Sequence, residues 1–264
     1  MDLGLTGKAA LVLAASKGIG RACAATLAAE GAGVTIGSRN QQMLEQTAQE
    51  IERESGQRIL AVPTDVNNEE DIKAIVTATM KAFGRIDILV TNAGGPPSGI
   101  FESLDDSQWQ HAFEQIFLSI VRLIRLVSPV MQQTGGGRII NIVSTSVKQP
   151  IERLILSNAL RLGVVGLAKT LSFELAPFNI TVNNVCPGRI LTDRIRQGHM
   201  VQEQIAQGIS EDEALNSIAQ DIPLQRLGKP EEVGALVAFL ASEQAGYITG
   251  TTIQIDGGLV SAVF

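Results

Sequence analysis

Two glycines, Gly18 and Gly20, close the stretch Leu11-Val-Leu-Ala-Ala-Ser-Lys-Gly-Ile-Gly20. An apolar run, a turn of small residues and then the amphipathic segment 21–30 is how a strand hands its backbone to a helix start. Glycine has no Cβ, so a phosphate can approach this turn and the helix can pack close to the strand. The first helical turn offers free N–H groups and the positive end of the helix dipole, which together favour an anion. On this stretch alone, a tight strand-to-helix connection with no ligand explains the pattern equally well. Other reactive side chains are sparse. Cys23 and Cys186 lie far apart and outside any C-x-x-C spacing, which argues against a disulfide framework or a structural zinc site. His111 and His199 are the only histidines and read as ordinary polar residues. No cluster of His, Cys or carboxylates has metal-ligand spacing, so no metal is expected.

Such a turn needs a sheet beneath it. With 264 residues, 45% of them hydrophobic, the chain can bury one large core, and a single domain over residues 1–264 is expected. Aromatics make up only 4%; Ala, Val, Ile and Leu carry the apolar content, the usual filling of a parallel sheet covered on both faces. A second strand at 33–37 ends at Ser38-Arg39-Asn40, where Asn40 can cap a helix over about 41–54. A third at 59–62 runs into Thr64-Asp65-Val66, and Asn68 opens the next helix. A fourth at 86–90 leads into Thr91-Asn92-Ala93-Gly94-Gly95. This alternation predicts right-handed crossovers and an α/β fold, a doubly wound parallel sheet with helices on both faces.

A long helix over about 107–133 carries apolar residues on more than one stripe, so one face is expected to meet another subunit. Strands at 138–143 and 180–185 bracket a helix over about 152–176, and Pro187-Gly188 breaks the chain. Residues 192–222 read as a mobile cover made of two helical pieces, before a helix from Pro230 and a closing strand at 252–255. The net charge of −6, with no basic block, argues against nucleic acid as a partner. No apolar run approaches ~18 residues and the N-terminus lacks the regions of a signal peptide, so no membrane partner is expected and a cytoplasmic location fits.

In order along the chain, Gly18-Ile19-Gly20, Asp65-Val66, Asn92-Ala93-Gly94, Asn141-Ile142-Val143-Ser144, Pro187-Gly188 with Thr192, and Tyr247-Ile248-Thr249-Gly250 through Asp256-Gly257-Gly258 form a recognisable set. It resembles the short-chain dehydrogenase/reductase family, most of all its 3-oxoacyl-carrier-protein reductases, over essentially the whole chain. The resemblance implies a Rossmann-like single domain, a nicotinamide dinucleotide lying across the sheet, and a homotetramer. It implies the pyrophosphate over the turn of Ala14, Ser16, Lys17, Gly18, Ile19 and Gly20. Asp65 and Val66 would edge the adenine, Asn92, Ala93 and Gly94 would line the cofactor path, and Pro187, Gly188, Ile190 and Thr192 would lie near the nicotinamide. Charge favours NADP(H) over NAD(H): Arg39 and Lys17 stand where a 2′-phosphate needs cations, and no Asp or Glu occurs between Gly31 and Gln42. The competing reading is that both are solvated surface cations. The family usually begins this turn with glycine where this chain has Ala14; a methyl is tolerated at negative φ but crowds the phosphate, which predicts weaker binding.

The family's catalytic set, carried over position by position, is incomplete. Ser144 matches the serine that orients the substrate oxygen. Thirteen residues later the tyrosine position holds Ser157, the lysine position four further on holds Arg161, and the supporting asparagine falls at Ile116. A phenol with a reference pKa near ~10 can be tuned to exchange a proton near neutrality, whereas an alkyl hydroxyl is a far weaker acid and Arg stays charged. Ser157 therefore cannot simply replace tyrosine, while Arg161 can still bind a ribose or a phosphate in a planar fork. Lys148, in the loop after Ser144, is the nearest substitute proton donor if it is buried beside Arg161; otherwise it is an exposed loop lysine. Tyr247, the only tyrosine, is expected to pack within the C-terminal turn. Two functions stay open: an NADP(H)-dependent oxidoreductase acting on a small carbonyl or alcohol, and a nucleotide-binding homologue without hydride chemistry that serves as a sensor or assembly partner.

Overall fold

The computed structural model describes residues 2–263. Its strands are β1 Ala9–Leu13, β2 Gly33–Ser38, β3 Ile59–Pro63, β4 Ile88–Thr91, β5 Gly137–Ile142, β6 Ile180–Pro187 and β7 Thr252–Ile255. Its helices are α1 Gly18–Ala29, α2 Gln41–Ser55, α3 Glu69–Phe83, α4 Asp106–Phe113, α5 Ser119–Gln133, α6 Ile155–Glu174, α7 Asp193–Arg196, α8 His199–Ala206, α9 Glu211–Gln220 and α10 Pro230–Ala241. The strands form one sheet in the order β3-β2-β1-β4-β5-β6-β7, with every pairing parallel. The α/β class and the doubly wound sheet are as the alternation predicts. The chain winds outward from β1 to β3 and restarts at β4 on the other side of β1, so loops leaving neighbouring strands diverge there and open a crevice.

All five residues of β1 are buried, as a strand covered on both faces requires. Successive side chains alternate between the faces. Ala10 and Val12 join Leu27 of α1, Leu44 of α2 and Val237 of α10, whereas Leu11 and Leu13 join Ile75 of α3 and Ile124 of α5. Asn40 and Asn68 cap α2 and α3 as read from sequence, accepting from the Met43 and Glu70 N–H groups at 2.9 Å each. α1 begins at Gly18, so both glycines of the turn lie inside its first turn.

Three expectations change. The long helix is interrupted at Glu114–Leu118 by a π-turn. Ile116 lies within it and is buried with Ala112 and Leu156, an apolar contact at the position the resemblance gives to an asparagine. The cover consists of α7, α8 and α9 rather than two pieces, and α8 and α9 share a small core of Val201, Leu215 and Ile218. Tyr247 does not pack: it is fully exposed, because its neighbour Ile248 takes the inward position against the core. Among the described residues no helix is long and apolar enough to cross a membrane.

Candidate active site

A cleft of about 1590 Å³ opens at the carboxyl ends of the strands around β1 and β4. Ala14, Ser16, Lys17, Gly18 and Ile19 line it from the turn after β1, Arg39 from the end of β2, and Asp65 and Val66 from beyond β3. Asn92, Ala93 and Gly94 line it after β4, and Pro187, Gly188, Ile190 and Thr192 at the end of β6. Gly20 lies beneath the surface: a Cβ there would stand 2.3 Å from the Ala14 carbonyl oxygen, so this glycine lets the helix close onto the strand. α1 has no side-chain cap, which leaves its first-turn N–H groups open to an acceptor. Ala14 sits at φ +50°, so the negative φ under which its methyl is comfortable is not met, at a cost of about 1 kcal/mol.

The part of the cleft beside β2 and β3 carries unmet polar groups. Ser38 Oγ and Asn67 Oδ1 are buried without a hydrogen-bond partner, and both residues line the cleft. Ser38 adjoins Arg39, which is exposed and makes no ion pair among the described residues. A hydroxyl with a proton to give beside a free guanidinium fits a phosphate, and an orphaned amide oxygen fits an amino group. Lys17 is less available than its position implies, because its Nζ pairs with Asp193 of α7 at 2.8 Å. That pair closes the cover against the glycine turn.

Ser144 follows β5, and its Oγ accepts from the Ser146 N–H at 3.1 Å, which leaves its own proton free for another acceptor. Ser157, in the first turn of α6, is buried with its Oγ 3.1 Å from Ser146 Oγ. Arg161, one turn further along α6, is 7% exposed, and its Nη1 donates to the Ile142 carbonyl at 3.0 Å. Ser144, Ser157 and Arg161 line the same cleft. Burial, with repulsion from Arg194 second, lowers Arg161 to about 10, so it stays cationic at neutral pH. Beneath these residues a buried ladder ties four strands at paired positions: Thr91 Oγ1 donates to Asn141 Oδ1 (2.8 Å), Asn141 Nδ2 to Asn184 Oδ1 (3.0 Å), and Asn184 Nδ2 to Thr252 Oγ1 (3.0 Å).

Lys148 is half-buried and does not line the cleft, and the cation that acts on Arg161 is Arg194. His199 lines the cleft from α8, while His111 is exposed on α4. Both thiols are buried and pushed up to about 12, so neither is a nucleophile at neutral pH. Sequence reasoning missed Ser38, Asn67, Asp193 and Arg194. The Arg194 Nη2 donates to the Pro96 carbonyl at 2.9 Å, and a contact spanning 98 residues leaves no local signal. A smaller cavity, about 180 Å³, lies at the opposite end of the sheet. Its buried Asp87 is already engaged by Arg85 at 2.7 Å and the Ala9 N–H at 2.8 Å.

Comparison with known proteins agrees with this architecture. The family described as enoyl-(acyl carrier protein) reductase matches residues 13–260. The short chain dehydrogenase/reductase astE of Aspergillus oryzae is 36% identical, the match covering 97% of this chain and 95% of that one. The NADPH-dependent reductase BacG of Bacillus subtilis is 34% identical, over 97% and 99%. The crystal structure of L-sorbose reductase from Gluconobacter frateurii, complexed with NADPH and L-sorbose, superimposes with a TM-score of 0.95 at 34% identity and covers 100% of both chains. Fold, cleft and likeness over nearly the full length agree: the chain belongs to the short-chain dehydrogenase/reductase family.

Proposed function

We propose that this protein is an NADP(H)-dependent oxidoreductase that moves a hydride between the cofactor and a small carbonyl or alcohol, with a chain pattern nearest the 3-oxoacyl-carrier-protein reductases. One observation carries the reading: the uncapped glycine turn, the unpaired Arg39, the orphaned Ser38 and Asn67 and the free Ser144 hydroxyl all face one cleft at the switch point. The NADPH bound in the sorbose reductase structure and the NADPH dependence of BacG support the choice of cofactor.

In this reading the N–H groups of the α1 start bind the pyrophosphate, and Arg39 with Ser38 holds the 2′-phosphate. NADP(H) bound in the cleft supplies the hydride. Ser144 donates a hydrogen bond to the substrate carbonyl oxygen and orients it. Arg161, fixed by its bond to the Ile142 carbonyl, lowers the energy of the negative charge that develops on that oxygen. Ser157 is too weak an acid to complete the step, so the alkoxide takes its proton from water. We also propose a homo-oligomer, a tetramer as in the family. Phe113 stacks on Phe117 with centroids 5.5 Å apart, and Leu162 and Phe173 stand exposed on the neighbouring helix α6.

Incubation with NADPH and a panel of carbonyl compounds, followed at 340 nm, tests the reading. NADPH oxidation is expected, and Ser144→Ala lowers it about 10²-fold or more. A flat trace across the panel with NADPH bound counts against it. A second reading, nucleotide binding without hydride chemistry, is favoured by the loss of the phenol at Ser157. Ketone reduction gained only in S157Y/R161K would support that reading.

A further inference from the structure

Among the described residues, Arg161 is a buried cation without a counter-charge. It is 7% exposed, and its one hydrogen bond to the protein goes to the Ile142 carbonyl. The charged or ionisable neighbours that act on it are Arg194 and Cys186, with no carboxylate among them. Of the acids lining the cleft, Asp193 pairs with Lys17 at 2.8 Å, Asp65 accepts from the Asn67 N–H at 3.0 Å, and Glu231 is exposed in the first turn of α10. In the family pattern a cation here serves the tyrosine four residues earlier. In this chain that residue is Ser157, which does not ionise in the working pH range. A buried guanidinium without a partner is costly in every resting molecule. An alkoxide exists only during turnover and ribose hydroxyls are neutral, so neither offsets that cost. A ligand anion present in the ground state does.

We propose that the substrate is an oxo acid whose carboxylate is received by Arg161, with Arg194 as the second cation; this rests on the oxidoreductase reading above. The placement is specific. Arg161 is bonded two residues before Ser144, so an anion on its free N–H groups lies close to a carbonyl held by the Ser144 hydroxyl. Arg194 enters from the cover, on α7. Its guanidinium is fastened to the Pro96 carbonyl at 2.9 Å and lies so close to Gly95 that a Cβ there would stand 2.8 Å from Nη2. The four N–H donors that Arg161 has left in its planar fork and a second guanidinium from the cover form a carboxylate receptor.

The test uses the NADP⁺-loaded protein, which holds no hydride to transfer, and reads binding by the shift in thermal unfolding. Unbranched 2-oxo and 3-oxo acids of increasing length are titrated beside their carboxamides. At the preferred length the acid is expected to bind about tenfold tighter than the amide or better, as a charge-assisted contact implies. Arg161→Met brings the ratio to about one, Arg194→Met lowers it partway, and Arg161→Lys keeps the charge but only part of the preference. Removing a lone buried charge leaves Arg161→Met folded, with a melting temperature at or above wild type, and the wild-type comparison needs no variant. Amides binding as well as acids at every length, or an acid preference that survives Arg161→Met, overturns the proposal. Failure of NADP⁺ itself to bind removes the oxidoreductase reading instead, so the two failures are distinct.

Discussion

Ala14 and Arg161 are two residues at which the chain carries a local cost inside its cleft. Ala14 occupies the left-handed region at φ +50°, where glycine is unstrained, and its methyl lines the path to the turn. Ala14→Gly should therefore raise stability by up to about 1 kcal/mol, a few degrees in Tm. The same change should tighten NADPH, as read by thermal unfolding and fluorescence titration; unchanged affinity would mean that the methyl does not crowd the phosphate. Sequence alone marked Ala14 as unusual, since the family pattern has glycine there, but its φ belongs to the fold. Ser157 and Arg161 were also legible as types. The absence of any acid acting on Arg161 was not, because it depends on where the fold places Asp65, Asp193 and Glu231.

Elements were legible where a signal is local. Asn40 and Asn68 announce their helices, and the order of strands and helices follows from apolar periodicity. The π-turn at Glu114–Leu118 and the Thr91-Asn141-Asn184-Thr252 ladder were not, since both depend on packing between distant segments. The start of α10, by contrast, is held by contacts within six residues of one another. Glu232 accepts from the Lys229 N–H at 2.7 Å and pairs with Arg226 at 2.6 Å. The hydrogen bond from Arg226 is the leading cause that lowers its carboxyl to about 2. A depressed carboxylate contributes stability above its unfolded value and loses it as pH falls through the folded value. Glu232→Ala should thus cost about 1 kcal/mol at neutral pH, reduced by solvent screening at this half-exposed site. The gap to wild type should close between about 4.5 and about 2 in urea melts; a gap independent of pH would show that the charge is not involved.

At the scale of the molecule, one parallel sheet brings residues from every third of the chain to a single cleft, and the cover is pinned to it by Lys17–Asp193 and Arg194–Pro96. The apolar stripe of Phe113, Leu162 and Phe173 lies outside that cleft. Phe173→Glu should lower the assembly state in sedimentation or light scattering without altering NADPH binding to the folded chain; an unchanged mass would remove this stripe as the interface. The cleft is proposed as an NADP(H) site read by Arg39. Its most direct test is a fluorescence titration of NADPH and NADH against the wild type and Arg39→Met. NADPH should bind wild type at least about tenfold more tightly than NADH, from charge-assisted contacts to the 2′-phosphate, and Arg39→Met should erase most of that difference. Equal affinity for the two nucleotides, or a preference untouched by Arg39→Met, would contradict the account.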